Sequence, residues 1–295
     1  MLLPKPDGTF RMNHQNTNGQ QLVNPQGGTF HTACTHLRDM GVNLAGFTEI
    51  NLDTRKAQVQ CKLHQAARTT TTHYRLQSSS STFVSSGEYK PGGTVTVLRD
   101  NSVSRFNSKG SDPLGRWSYI TLTCSGTGKI TFITAYQPCK GKPKLDSATT
   151  ASQQHAQLLQ EKRRNPESIR HHFIQDLQKF MKQCRRSGSQ CVLQGDFNEV
   201  IGQGSDGMSK ICRKFTMVDP IQHFHGPPPA PFATWIDGSE VIDYVQVDEG
   251  LLPSITACGY SPLLHRPPCY YSRIFSILLP HHPLVSSHLR LATFR

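Results

Sequence analysis

The stretch Cys191-Val192-Leu193-Gln194-Gly195-Asp196-Phe197-Asn198-Glu199 decides how the rest of the chain is interpreted. Its first residues are apolar and predict a short buried strand, and Gly-Asp-Phe-Asn predicts a turn directly after it. That turn would place the carboxylate of Asp196 beside the amide of Asn198 at the carboxyl end of the strand. Such a pair is typical of an active-site loop on a rigid scaffold, although a plain Asx turn after a core strand has the same local pattern.

Strands and helices alternate on both sides of this stretch. A helix with an apolar stripe is predicted just before it, with Asn165 as the N-cap, Pro166 at the first helical position and Gly188 at the end. Residues 78–81 and 199–232 are predicted to be irregular. The remaining predicted elements are strands at 9–15, 42–48, 94–98, 116–122, 129–134, 232–235 and 240–247, and helices at 29–40 and around 152–161. No clean boundary interrupts them, so we expect a single domain over residues 1–295.

The composition favours a polyanionic partner. The chain has 295 residues and a net charge of +12, and nucleic acid is the commonest partner of such basic proteins.

Its nine cysteines form no C-x-x-C pair, which argues against a zinc module or a disulfide scaffold and for an intracellular protein, with the nucleus as one candidate compartment. With no apolar stretch near ~18 residues and no apolar N-terminal core, we expect neither a membrane span nor a secretory signal. The oligomeric state is not indicated.

Polar residues lie at or just past the predicted strand ends: Asn16, Glu49, Tyr136, Asp196 with Asn198, and Asp243. Each has a use in phosphate-ester hydrolysis. Glu49 and Asn16 offer oxygen ligands for Mg²⁺. Asp196 can orient or deprotonate the attacking water, and Asn198 and Tyr136 can donate hydrogen bonds to the phosphate.

Asp243 could hold a histidine in one tautomer. Each residue also has a simpler interpretation, such as a solvated carboxylate for Glu49, a half-buried aromatic for Tyr136 or an edge-strand cap for Asp243. Their occurrence together, in order, is what favours a site.

Five segments in this order resemble the endonuclease/exonuclease/phosphatase family, which includes abasic-site endonucleases, DNase I-like nucleases and the endonuclease domains of LINE-type retrotransposons. They are Asn16-x-Asn18-Gly19, Gly46-Phe47-Thr48-Glu49, Thr134-Ala135-Tyr136-Gln137-Pro138, Gly195-Asp196-Phe197-Asn198 and Ile242-Asp243-Tyr244-Val245. The resemblance spans residues 10 to about 250 and leaves 251–295 as a divergent or degenerate end.

The resemblance implies an α/β (α+β) fold, a four-layer αββα sandwich of two mixed β-sheets. It also implies phosphodiesterase chemistry with Mg²⁺ or Mn²⁺ at Glu49 and Asn16. We assign Asn18 and Trp235 to substrate binding.

The family's final Ser-Asp-His motif is not intact. Tyr270-Tyr271 stands in its place in one alignment, and Ser287-His288 in the other, and we favour the first. The sequence therefore predicts a metal-dependent phosphodiesterase, in particular a DNA endonuclease of retroelement or repair type, whose activity the altered motif could reduce. The alternatives are a catalytically inactive nucleic-acid-binding relative and a phosphatase that acts on small phosphate esters.

Overall fold

Two mixed β-sheets face each other, and helices cover their outer sides. A computed structural model describes residues 5, 7–17, 29–82, 89–124, 128–140, 149–161, 169–204, 206–227, 234, 240–262, 271–279 and 292–293. The helices are α1 (Thr29–Asp39), α2 (Ala57–Arg68), α3 (Thr150–Gln160), α4 (Ile169–Arg186), α5 (Gly207–Lys214) and α6 (Pro220–His225). The expectation of a four-layer αββα sandwich with two mixed sheets is confirmed.

Among the described residues, the first sheet has seven strands in the order β13-β11-β12-β1-β2-β4-β3. These are β1 (Thr9–Asn16), β2 (Leu44–Thr48), β3 (Tyr74–Ser79), β4 (Thr94–Arg99), β11 (Ile255–Pro262), β12 (Tyr271–Leu278) and β13 (Ala292–Thr293). β1 and β2 are parallel, and their register sets Asn16 beside Thr48. The two carboxyl ends therefore meet at one edge of the sheet.

The second sheet, in the part of the chain that the structure describes, has six strands in the order β5-β6-β7-β8-β10-β9. These are β5 (Phe106–Ser111), β6 (Trp117–Thr123), β7 (Lys129–Tyr136), β8 (Ser189–Asp196), β9 (Met217–Val218) and β10 (Asp243–Asp248). β7 and β8 are parallel and end together at Tyr136 and Asp196. β10 runs antiparallel to β8 and begins with Asp243 opposite Asp196.

Apolar alternation explains the layers, since one face of each central strand points to the other sheet and the opposite face to a helix. Phe10 on β1 stacks on Phe132 on β7, with ring centroids 5.4 Å apart, inside the cluster between the sheets. Phe30 of α1 packs on Phe47 of β2 on the outer side of the first sheet. Phe173 of α4 packs on Trp117 on the outer side of the second.

Above this apolar cluster, the sheets meet through hydroxyl and amide groups that we call the inter-sheet polar layer. Thr94 Oγ1 on β4 donates to Ser118 Oγ on β6 at 2.9 Å, and Thr96 Oγ1 on β4 donates to Thr134 Oγ1 on β7 at 2.8 Å. Gln194 Nε2 on β8 donates to the same Thr134 oxygen at 3.1 Å. Thr134 and Gln194 each lie two residues before the end of their strand, so the polar layer lies directly beneath the strand ends.

Two stretches predicted to be irregular are ordered. Ser78 and Ser79 belong to β3, because their side chains find polar partners inside the protein: Ser79 Oγ donates to Asp112 O at 2.6 Å. The segment 199–232, predicted as loop, contains α5, β9 and α6. The proposed caps Asn165 and Pro166 lie outside the described residues, as does all of the predicted strand 232–235 except position 234.

The other predicted strands and helices are present, with ends shifted by a few residues. No helix within the described ranges is long and apolar enough to cross a membrane.

Candidate active site

The polar residues at the strand ends come together at one edge of the sandwich. Asn16 ends β1, and Glu49 follows β2 by one residue. Tyr136 ends β7, Asp196 ends β8, and Asp243 begins β10. The first two belong to one sheet and the other three to the second, so the edge is built where the two sheets face each other.

Two side-chain hydrogen bonds cross from one sheet to the other at this edge. Asn16 Nδ2 donates to Asp196 Oδ2 at 2.9 Å. The Tyr136 hydroxyl donates to the Glu49 carboxylate. The four residues therefore form one contiguous polar surface, and not four unrelated strand ends.

The turn after β8 has a defined geometry. Asp196 Oδ1 accepts a hydrogen bond from the Asn198 backbone N–H at 2.9 Å, and Asn198 Nδ2 donates to Gln137 O at 2.7 Å. Asn198 has a φ of +48°, a conformation that asparagine adopts more readily than most residues. This local chemistry fixes the carboxylate and the amide of the Gly-Asp-Phe-Asn motif in one arrangement.

Glu49 also has a positive φ, +53°. The left-handed region costs a non-glycine residue about 1 kcal/mol or more, and such strain collects at functional sites. The backbone around it is held on both sides: Thr17 Oγ1 donates to Glu49 O at 2.6 Å, and the N–H of Ile50 donates to Gly93 O at 3.5 Å. Asn51, two residues further along, also has a positive φ, +51°, so the strained backbone covers the exit of β2 that carries Glu49.

Three carboxyl groups share the site: Asp196 and Asp243 are buried, and Glu49 is half-buried. Burial raises the pKa of Asp196 well above its ordinary value, and the charges of Asp243 and Glu49 raise it further. Burial raises the pKa of Asp243 to about 7, and Asp243 Oδ1 is buried with no hydrogen-bond partner. Burial likewise raises the pKa of Glu49, while the Tyr136 hydrogen bond opposes that rise. The cluster therefore has an excess of negative charge when its carboxyl groups are ionised.

That donor set fits a hard divalent cation. Mg²⁺ binds oxygen ligands, and it keeps several waters while using one or two carboxylates. Among the described residues no group of three or more His, Cys, Asp or Glu side chains could hold a metal ion, so a site rich in protein ligands is not formed. A cation beside Glu49 and Asn16 would offset the mutual repulsion of Glu49, Asp196 and Asp243 when these groups are ionised.

Several sequence-predicted residues cannot be placed. Asn18, Trp235, Tyr270 and His288 lie outside the described residues. The backbone of Tyr271 begins β12, which pairs antiparallel with β1 so that Arg273 is opposite His14. The same register, continued by two residues, leads Tyr271 to the strand end that carries Asn16. The alignment that sets Tyr270-Tyr271 where the family has Asp-His stays a prediction.

Arg273 is a buried charge that the sequence did not identify. It is 1% exposed, its Nη1 donates to Asp219 Oδ2 at 2.8 Å, and its guanidinium lies 4.9 Å from the Tyr244 ring centroid and 5.0 Å from that of Tyr260. Burial, together with the Arg273 charge, lowers the pKa of His14 to about 3, so that imidazole is neutral. The available signal was an arginine directly before the apolar pair Ile274-Phe275 in this strand.

Two facing mixed sheets with outer helices are the fold of the endonuclease/exonuclease/phosphatase proteins. The chain is similar to AP endonuclease LMAP from Leishmania major, with a TM-score of 0.66 and 13% identity over 93% of this chain and 88% of that one. It is also similar to the 3' phosphatase NExo from Neisseria bound to product DNA hairpin, with a TM-score of 0.57 and 15% identity over 91% and 99% of the two chains.

A third similar structure is the APE2 catalytic domain of Xenopus laevis, with a TM-score of 0.59 and 12% identity over 91% of this chain and 92% of that one. Neither a scan against protein-family models nor a search of curated proteins gave a match. At these identities the likeness shows the common fold.

Proposed function

We propose that the chain is a metal-dependent phosphodiesterase that acts on nucleic acid, with DNA as its substrate. The observation that carries the proposal is the pair of inter-sheet hydrogen bonds, Asn16 to Asp196 and Tyr136 to Glu49, which gathers carboxylate, amide and phenol groups at one edge. The net charge of +12 favours a polyanionic substrate. Among the similar structures, one is named an AP endonuclease and another a 3' phosphatase with a DNA product.

The chemistry follows from the position of each group. Mg²⁺ or Mn²⁺, when bound at Glu49 and Asn16, supplies neutralisation of the phosphate charge and of the leaving oxygen. Asp196 is the general base, since its raised pKa brings proton uptake closer to neutral pH. The Tyr136 hydroxyl stays protonated, because burial and two neighbouring carboxylates raise its pKa, and it can donate a hydrogen bond to a phosphate oxygen.

Asn198 has one amide hydrogen engaged with Gln137 O, which leaves the other for a phosphate oxygen. Asp243 lies opposite Asp196 at the start of β10, where a carboxylate can hold a histidine in one tautomer. Within this proposal the enzyme is an endonuclease of retroelement or repair type.

One observation favours a second function, nucleic-acid binding without turnover. Asp243 Oδ1 has no hydrogen-bond partner, and the part of the chain that the structure describes supplies no histidine to it. If the altered terminal motif has removed that partner, a loss of about 10²- to 10⁴-fold in rate is expected, the usual effect of deleting one acid/base or charge-stabilising group.

Nicking of supercoiled plasmid separates these functions. We expect Mg²⁺- or Mn²⁺-dependent conversion to open circles by the wild-type protein, and a loss of about 10²-fold or more in the Glu49→Gln and Asp196→Asn variants. Asp39→Asn is the matched control, because that carboxylate is exposed and lies on the outer helix α1.

Equal nicking by wild type and Glu49→Gln would refute the proposal. Salt-sensitive DNA binding without nicking would instead favour the binding protein. Faster turnover of a soluble monoester such as p-nitrophenyl phosphate than of plasmid would favour a phosphatase.

A further inference from the structure

Arg170, in the first described turn of α4, contacts the exits of both parallel strands that carry the candidate site. Its Nη1 donates to Pro138 O at 2.6 Å, two residues after Tyr136 ends β7. Its Nη2 donates to Glu199 Oε2 at 2.6 Å and to Phe197 O at 3.4 Å, in the turn that follows β8. The Arg170 side chain is 19% exposed, so these bonds are formed in a largely enclosed place.

Gln137, the residue after β7, also links the exits of β7 and β8. Its amide, oriented by its partners, donates from Nε2 to Phe197 O at 2.7 Å and accepts from Arg170 Nη2 at 3.3 Å. Its backbone N–H donates to Asp196 O at 2.9 Å, and its carbonyl accepts from Asn198 Nδ2 at 2.7 Å. Three of the four polar groups of Gln137 therefore bond to the exit of β8, and the fourth bonds to Arg170.

Glu199 also forms a hydrogen bond to the next helix, α5. Its Oε1 accepts a hydrogen bond from the Met208 backbone N–H in the first turn of α5. A Cβ at Gly207 would lie 2.4 Å from that Glu199 oxygen, so the backbone approaches this close only because position 207 is glycine. Arg170 and Glu199 thus join α4, the two exits and α5 into one unit.

We propose that Arg170 is a positioning residue for the candidate site, which holds the exits of β7 and β8 together so that Tyr136 and Asn198 face the same phosphate. The proposal rests on the proposed function for its catalytic consequence, but its structural content is independent of it. Arginine suits the role because its planar fork presents two nitrogens side by side: Nη1 faces the Pro138 carbonyl, and the two hydrogens of Nη2 serve Glu199 and, through longer contacts, Phe197 O and Gln137. A lysine could keep the Glu199 ion pair but could not reach the carbonyls on both exits at once.

The experiment compares Arg170→Met, Arg170→Lys and a matched control, Arg186→Met, which removes an exposed arginine from the last turn of the same helix. Backbone hydrogen exchange is measured for residues 136–140 and 196–200, with residues 130–134 of β7 as the internal reference. For Arg170→Met we expect faster exchange at both exits together, unchanged exchange in the reference, and an effect that Arg170→Lys does not rescue, since local opening reports local contacts.

The activity measurement uses the same variants on plasmid DNA. A misplacement of about 1 Å costs on the order of 10²-fold in rate, so we expect kcat to fall by about that factor in both Arg170 variants, with a smaller change in KM. Unchanged exchange at the exits in Arg170→Met would overturn the positioning role. So would faster exchange with an unchanged kcat.

The two proposals fail separately. A wild-type protein that does not nick DNA refutes the phosphodiesterase function, while the exchange data still decide whether Arg170 holds the two exits together. A loss of kcat that merely follows a global loss of stability, with exchange faster in the reference segment too, would also overturn the positioning role.

Discussion

Replacing Asp243 by asparagine is predicted to make the stability of the apo protein much less dependent on pH. Asp243 is 4% exposed, and its Oδ1 has no hydrogen-bond partner, so ionisation creates a buried charge with incomplete compensation. Its pKa is raised from an ordinary 3.8 to about 7, mainly by burial, with the Glu49 charge adding to the rise. Asparagine keeps the shape and the hydrogen-bonding capacity but cannot ionise.

The direction in which pH changes the stability follows from how many protons the folded and unfolded states bind. Between its unfolded pKa near 3.8 and its folded pKa near 7, Asp243 is protonated in the native state and ionised in the unfolded chain. Stability contributed by the protonated carboxyl is therefore fully present below the lower value and is lost as pH rises through the upper one. A rise in pH from about 5 to about 8.5 covers the upper ~2 pH units of the interval between the two pKa values, and each unit corresponds to about 1.4 kcal/mol. The free energy of unfolding of the wild-type protein should therefore fall by on the order of 3 kcal/mol over this range, and that of the variant should not.

Urea unfolding followed by circular dichroism measures this difference. The free energy of unfolding of wild type and Asp243→Asn is determined with EDTA at both pH values, and Asp39→Asn, which alters an exposed carboxylate, serves as the control. The two pH profiles should separate toward alkaline pH, and added Mg²⁺ should bring them closer by neutralising the cluster. Parallel profiles for wild type and Asp243→Asn would refute the reasoning that burial raises this pKa.

Three further outcomes follow from geometry and charge. Gly195→Ala should destabilise the protein by about 1–3 kcal/mol in urea unfolding, because the new Cβ would lie 1.9 Å from Ala135 O on β7. Gly250→Ala is the control and should cost less, because its Cβ meets only the far end of a flexible side chain. Equal effects of the two substitutions would contradict the steric argument. Arg273→Met should lower stability by about 3–5 kcal/mol, since it leaves Asp219 buried without its ion pair, and a melting temperature equal to wild type would contradict this. DNA binding measured by fluorescence anisotropy should weaken steeply as salt rises, with a log–log slope of several units, and a salt-independent affinity would argue against phosphate contacts.

The layered fold could be predicted from the sequence wherever apolar periodicity sets the buried faces. The stripe through Phe173 and Leu177 predicts α4, and the apolar run of β8 predicts a buried strand, because in both cases side-chain burial alone selects the element. β3 could not be predicted, since its serines are buried through hydrogen bonds that involve residues distant in sequence. The short helices α5 and α6 lack the length for a clear period.

The edge location of the candidate site was also predictable, because parallel strands bring their carboxyl ends to one edge. The pairing across the sheets was not: nothing in the sequence says that Asn16 reaches Asp196 or that Tyr136 reaches Glu49. Arg170 lies far along the chain from the turns it contacts and has no motif of its own. The assigned roles of these residues remain predictions.

The inter-sheet polar layer has a mechanical consequence. An interface made only of apolar side chains resists separation but offers little resistance to sliding, because dispersion contacts have no direction. The bonds of Thr94 to Ser118 and of Thr96 to Thr134 are directional, and they span the two sheets just below the strand ends. They therefore resist sliding of one sheet over the other, and so help to keep the two halves of the site, one carried by each sheet, in alignment.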